Sequence, residues 1–166
     1  MIKLYSSEIV FREVPTEITL ALNLSMCPHK CKGCHSPYLW QDNGIELTKT
    51  QIDKLIEAYR KDAITCVAFM GGDNDCDGIR LLNSYIHDKY PDMKTCWYTG
   101  FDTKELYDKD LMDAIYEFDY VKIGPYIQEK GGLDNPGTNQ RFYKKNEYGI
   151  LDNITTQFQD KGISKI

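Results

Sequence analysis

The sequence predicts an α/β fold, built as a partial, open β/α barrel with a mainly parallel sheet. Three observations predict it. Short β-branched and aromatic runs alternate with amphipathic stretches along most of the 166 residues, as in strand–helix–strand units on a parallel sheet. Glycines follow the apolar runs directly, at Gly71-Gly72, Gly100 and Gly124, where the chain must leave a strand. A closed eight-unit barrel takes about 250 residues, so a chain of this length supplies only part of one.

The elements follow in order. Residues 16–24 read as the first strand, with Ile18, Leu20, Leu22 and Leu24 at period two. A loop holding three cysteines follows and ends near Pro37. Thr48 opens a helix. Gln51 completes a capping box three residues on, and Ile52, Leu55, Ile56 and Tyr59 share one face. Residues 64–70 form the second strand, stopped by Gly71-Gly72. Ile79, Leu82, Tyr85 and Ile86 mark the next helix, with Asp75 or Asp77 as its cap. Residues 93–99 form the third strand. Asp102 with Glu105 opens a helix running towards Phe118, and residues 119–123 form the fourth strand. A loop from Gly124 to Asn139 precedes a short aromatic strand at 141–144. There is no internal repeat, and residues 1–166 are expected to form one domain with its core at about 16–143. In parallel α/β arrangements chemistry gathers at the C-terminal ends of the strands. The cysteine loop and the Gly71-Gly72 turn both follow strands, so both belong on that face.

The composition, 42% hydrophobic and 27% charged, is that of a soluble globular protein. Residues 1–11 carry Lys3, Glu8 and two serines in place of the apolar run of a signal peptide. No stretch approaches the roughly 18 apolar residues of a membrane span, so a cytoplasmic protein without a membrane partner is expected. The net charge of −5 and pI of about 5.2 argue against nucleic acid, which demands a concentrated basic surface. Lys144 and Lys145 near Arg141 are too few to supply one. Six cysteines in a reducing compartment do not make a disulfide framework. Cys66, Cys76 and Cys96 are scattered and read as inert thiols.

Cys27, Cys31 and Cys34 are different, because they crowd into eight residues as C-x3-C-x2-C. Three thiolates on one short loop suit a cubane iron–sulfur cluster. An ordinary four-iron cluster takes four cysteines, so three leave one iron open to a small molecule, as in catalytic metal sites. The alternatives are a structural zinc site, completed by His29 or His35, and a simple electron-transfer module. Zinc motifs generally carry a second ligand pair, and none is visible. Gly71 and Gly72 lack Cβ atoms and let the backbone approach a ligand; they also suit a plain turn.

The cysteine pattern, directly after the first strand, resembles the signature of the radical SAM superfamily. Cys31-Lys32-Gly33-Cys34-His35-Ser36, followed by Trp40 and Gly44, resembles the anaerobic ribonucleoside-triphosphate reductase activating proteins, which install a glycyl radical on their reductase. Phe69-Met70-Gly71-Gly72-Asp73 is similar to the superfamily's Gly-Gly-Glu turn. Trp97-Tyr98-Thr99-Gly100-Phe101 is similar to the activases' Trp/Tyr-Thr-Gly-Tyr segment. Gly137-Thr138-Asn139-Gln140-Arg141 is similar to their Gly-Ser-x-Asn-Gln-Arg ending, one residue shorter. The likeness spans about Thr16 to Tyr143. Asp73 departs from it by replacing Glu, and Gly33 by standing where many members have an aromatic residue.

The resemblance implies a partial barrel of the radical SAM type and a [4Fe-4S] cluster on Cys27, Cys31 and Cys34. It also implies S-adenosylmethionine bound on the open iron, an anaerobic ribonucleotide reductase as partner, and an external electron donor such as flavodoxin or ferredoxin. Gly71 and Gly72 would face the methionine amine. Asp73 would either face the amine or sulfonium or cap the next helix. Thr99 is placed for ribose or carboxylate, although threonine at a strand end is routine. His35 or its backbone would support the adenine, and Trp40 and Trp97 would wall the site. His87 reads as a surface residue. A radical SAM enzyme acting on a small molecule, of the deazaguanine-synthase type, shares these features and stays open as an alternative.

Overall fold

Apolar side chains at period two on four neighbouring strands set the architecture. The computed structural model describes residues 1–159. Its strands are β1 (Lys3–Val10), β2 (Thr19–Leu24), β3 (Ile45–Glu46), β4 (Cys66–Met70), β5 (Lys94–Tyr98), β6 (Tyr120–Ile123), β7 (Arg141–Lys145) and β8 (Leu151–Asn153). Its helices are α1 (Lys49–Tyr59), α2 (Cys76–Lys89), α3 (Thr103–Asp108) and α4 (Met112–Ile115). They make one sheet in the order β3-β1-β2-β4-β5-β6-β7-β8. The pairings β2–β4, β4–β5 and β5–β6 are parallel. Those at both margins are antiparallel.

The helices lie on one face. Leu20, Leu22 and Leu24 of β2, Val67 and Phe69 of β4, and Trp97 of β5 join Ile52, Ile56, Ile79, Leu82 and Ile86 from α1 and α2 in one core. Each such fully buried side chain contributes roughly 2 kcal/mol. Both expected capping boxes form: Thr48 with Gln51 on α1, and Asp102 with Glu105 on α3. Asp75 is the cap of α2, its side chain accepting from the Gly78 amide, so Asp73 is left for another task.

The structure differs from the sequence expectation in several places: the sheet, expected to be mainly parallel, is parallel only at its centre, and β3 and β8 were not expected. The helix expected from Asp102 towards Phe118 is broken into α3 and α4, because Asp110 takes a left-handed φ of 57°. Aspartate tolerates that conformation better than most residues, and it ends a helix. β1 was not expected, since Ser6, Ser7 and Glu8 interrupt its apolar pattern; antiparallel pairing with β2 from Leu4 to Val10 secures it.

The opposite face carries a second core of Val14, Cys66, Ala68, Cys96, Tyr120 and Phe142. The chain before β2 is held against it by the Tyr98 hydroxyl, which donates to the Glu13 carbonyl. Phe158 packs on Phe142 with ring centroids 4.9 Å apart. This face is therefore filled over part of its length and open at the C-terminal edge of the parallel strands.

Candidate active site at the edge of the parallel strands

In-register pairing puts Asn23, Met70, Tyr98 and Lys122 side by side on β2, β4, β5 and β6. All four line a cavity of about 220 Å³, whose wall also includes Cys27, Cys31 and Cys34.

Local backbone geometry turns the three thiols towards one space. Met26 and Lys30 take positive φ values of 66° and 47°, a conformation costing of order 1 kcal/mol that persists where the surroundings enforce it. The Met26 and Cys27 amides donate to the Gln41 and Leu39 carbonyls at 3.2 and 3.0 Å. Cys34 closes a turn onto the Cys31 carbonyl at 3.1 Å, and its sulfur accepts from the Ser36 amide at 3.3 Å. All three cysteines are free and half-buried. Burial pushes the Cys27 thiol up, assisted by the Asp73 charge and opposed by backbone bonds from His29 and Lys30. Such a thiol needs a cation to become a thiolate, and a metal supplies one. Among the described residues no three His, Cys, Asp or Glu side chains close on a single ion. Three thiols spaced around a shared cavity fit a group of several atoms, and an iron–sulfur cluster is such a group.

Asp73 is the most constrained charge in the cavity. Its Oδ2 accepts from the Thr99 hydroxyl at 2.9 Å, the Gly100 amide at 2.7 Å and His29 Nε2 at 2.5 Å. Its Oδ1 is buried and has no partner among the described residues. A buried carboxylate oxygen without a donor costs 1–3 kcal/mol or more. A ligand that brings a donor repays that cost.

Lys122 supplies the opposite charge from the floor. Its Nζ donates to the Gly124 and Thr99 carbonyls at 2.8 and 3.1 Å. Burial pushes its pKa down to about 8, against the upward pull of Asp73, Cys31 and Cys27. The native state therefore sheds this proton at about pH 8, whereas the unfolded chain keeps it to about 10.4. The unfolded state binds more protons between those limits, so stability rises with pH there. In metal-free protein the unfolding free energy of wild type, relative to Lys122→Met, should climb by about 1.4 kcal/mol per pH unit in that window. Anaerobic urea midpoints measure it, and a flat difference would show a solvated amine.

Of the residues singled out in the sequence, Gly71 and Asp73 line the cavity with the three cysteines. Gly72 stands behind them: its φ is +92°, and an added Cβ would lie 2.4 Å from Ile79 Cδ1. Thr99 is fully buried and reaches the site through Asp73. His35 is exposed, its ring 5.3 Å from that of Tyr126. Trp40 lines the cavity. Trp97 lies in the helix-side core instead, and its Nε1 donates to the Gly71 carbonyl from behind. His87 bonds Asp119 at 3.1 Å, far along the chain from the cysteine loop. Cys66 and Cys96 are buried, and burial pushes both thiols well up. Lys122, Asn23 and Gln140 were not identified as site residues in the sequence, and His29, weighed there as a zinc ligand, bonds Asp73 instead. The available signal was Lys122 itself, a lone charge in the apolar run Tyr120-Val121-Lys122-Ile123.

Comparison with known proteins agrees with this chemistry. The chain is 27% identical over 124 residues to the anaerobic ribonucleoside-triphosphate reductase-activating protein of Enterobacteria phage T4, covering 70% of this chain and 80% of the relative. It is 27% identical over 128 residues to the protein of the same name from Vibrio cholerae serotype O1, covering 72% and 79%. No solved structure matches it significantly. The family described as 4Fe-4S single cluster domain matches residues 18–144, which takes in β2 to β6, all but the last residue of β7 and every residue that lines the cavity. The chain belongs to the 4Fe-4S single cluster domain family.

Proposed function

We propose that this protein is a radical SAM activase that generates a glycyl radical on an anaerobic ribonucleotide reductase. Cys27, Cys31 and Cys34 would hold the [4Fe-4S] cluster, and the sheet would be the open half of a radical SAM-type β/α barrel. When bound, the cluster and S-adenosylmethionine would supply one-electron radical chemistry directed at a glycine of the partner. An external donor such as flavodoxin or ferredoxin would provide the electron. The observation that carries this reading is the convergence of three thiols, a carboxylate oxygen lacking a donor and a buried ammonium on one cavity. The two curated relatives that are 27% identical carry the activating-protein name.

The chain's own groups divide the work. Asp73, through its unpartnered Oδ1, would hold the amine of the methionine moiety, and Lys122 would hold its carboxylate. Two opposite buried charges thus select an aminocarboxylate, since each is costly without its partner. Gly71 carries no side chain, and the nearest atom to an added Cβ is the Leu24 carbonyl oxygen at 3.5 Å; its amide is bonded to the Tyr98 carbonyl and its carbonyl to Trp97 Nε1, so its part is to leave room for the ligand. Leu24, Leu39, Met70 and Trp40 form a dry wall, which strengthens both charge contacts and limits quenching of a radical by solvent.

The test is anaerobic reconstitution, addition of S-adenosylmethionine and dithionite, and electron paramagnetic resonance on the cognate reductase. A glycine-centred doublet is expected. With the cluster intact, its absence overturns the proposal. Multiple turnover of a small molecule in its place would establish the alternative radical SAM reading.

A further inference from the structure

We infer that His29 is a positioning residue that locks Asp73 so that its second oxygen faces the ligand's amine, tying that contact to the thiol loop. The inference rests on the function proposed above and deepens it. His29 lies between Cys27 and Cys31 in sequence, yet its ring leaves the loop and crosses to the ends of β4 and β5. There Nε2 donates to Asp73 Oδ2 at 2.5 Å, and the ring packs edge-on to Phe101 with centroids 4.8 Å apart. The His29 and Asp73 side chains are 12% and 2% exposed, so water competes little for this bond.

The geometry explains why a carboxylate needs three donors on one oxygen. Left alone, a carboxyl rotates about its Cβ–Cγ bond and presents either oxygen to the ligand. Donors from three separate places, the His29 ring, the Thr99 hydroxyl and the Gly100 amide, remove that freedom. They saturate Oδ2 and leave Oδ1 as the carboxyl's oxygen without a partner among the described residues. Thr99 and Gly100 belong to the strand end and hold Asp73 to the sheet. Among the described residues, only His29 links it to the cysteine loop by a side-chain hydrogen bond. Gly100 is part of the same arrangement, because a Cβ there would lie 2.5 Å from His29 Cδ2. The absent methyl group is what admits the ring. A fixed carboxylate loses little entropy on binding, which is how preorganisation raises affinity.

The experiment uses the full-length protein, reconstituted anaerobically, with iron content measured and the S-adenosylmethionine dissociation constant taken by equilibrium dialysis per loaded cluster. His29→Leu keeps bulk against Phe101 and removes the donor; His29→Gln restores a donor. Gly100→Ala displaces the ring and leaves the neighbours of the cysteines unchanged. His29→Leu and Gly100→Ala are each expected to weaken binding at least tenfold per cluster, with His29→Gln within about threefold of wild type. Dialysis reads affinity rather than turnover, so a defect in electron delivery leaves it unmoved. Wild-type affinity per cluster in both His29→Leu and Gly100→Ala overturns the inference whatever their iron content. Equal weakening in His29→Leu and His29→Gln also overturns it, because the donor would then be irrelevant. Wild-type protein that loads iron and binds no S-adenosylmethionine would instead sink the proposed function.

Discussion

Cys31→Ala protein, reconstituted anaerobically, is expected to lose the cluster almost entirely: iron falls from about four per chain to below one, and S-adenosylmethionine cleavage disappears. Cys31 is the middle thiol of the three, and its carbonyl closes the turn that orients Cys34. Three protein ligands are the least that hold a cubane with one corner vacant. Removing one leaves two iron sites open to solvent in a half-buried cavity. Fold stability should scarcely change, since Cys31 is half-buried and belongs to neither hydrophobic core. Iron and sulfide analysis, the visible absorption band and a thermal melt of the metal-free protein separate these outcomes. Retention of full iron would show that the cluster is held elsewhere, and the ligand assignment would fail.

The second large effect is expected at Asp73→Asn. The substitution is nearly isosteric, and its outcome follows from hydrogen-bond polarity. Three donors converge on Oδ2, so the asparagine oxygen must stay with them. The amide NH₂ then occupies the Oδ1 position and points donors at the ligand's amine. A charge-assisted contact becomes a clash of donors, and removing one side of a buried charge pair costs about 3 kcal/mol or more. Affinity for S-adenosylmethionine should drop by roughly a hundredfold or more, with iron content unchanged. Titration of the reduced cluster by electron paramagnetic resonance, followed through its change in line shape on ligand addition, measures this. Unchanged affinity would remove Asp73 from the site.

The parts of the fold that were legible share one property: their signal is local. β2 shows its alternation within six residues, β4, β5 and β6 are short apolar runs of four or five, and the caps of α1 and α3 need only four. The cysteine triad is likewise confined to eight positions. What escaped notice depends on contacts distant in sequence. His29 and Asp73 are 44 residues apart, and nothing near either foretells their bond. Lys122 reads as an outward-facing lysine until the sheet shows that its side of β6 faces a cavity. β1 lacks an apolar pattern because Ser6 and Glu8 meet Asn23 at 3.1 Å instead of a hydrophobic layer. The break between α3 and α4 turns on the backbone of one aspartate, a choice that tertiary packing makes.

The row formed by Asn23, Met70, Tyr98 and Lys122 has a consequence for how such a scaffold diversifies. These side chains project from one side of the pleat, and the residues that anchor α1 and α2 project from the other. The cavity wall and the helix-side core are thus written on alternate letters of the same strands. Exchanges in the row leave the helical layer its grip, although Tyr98 also bonds the Glu13 carbonyl and packs on Phe142 in the second core. An insertion of one residue within β4 or β5, by contrast, would transpose the two scripts and erase both.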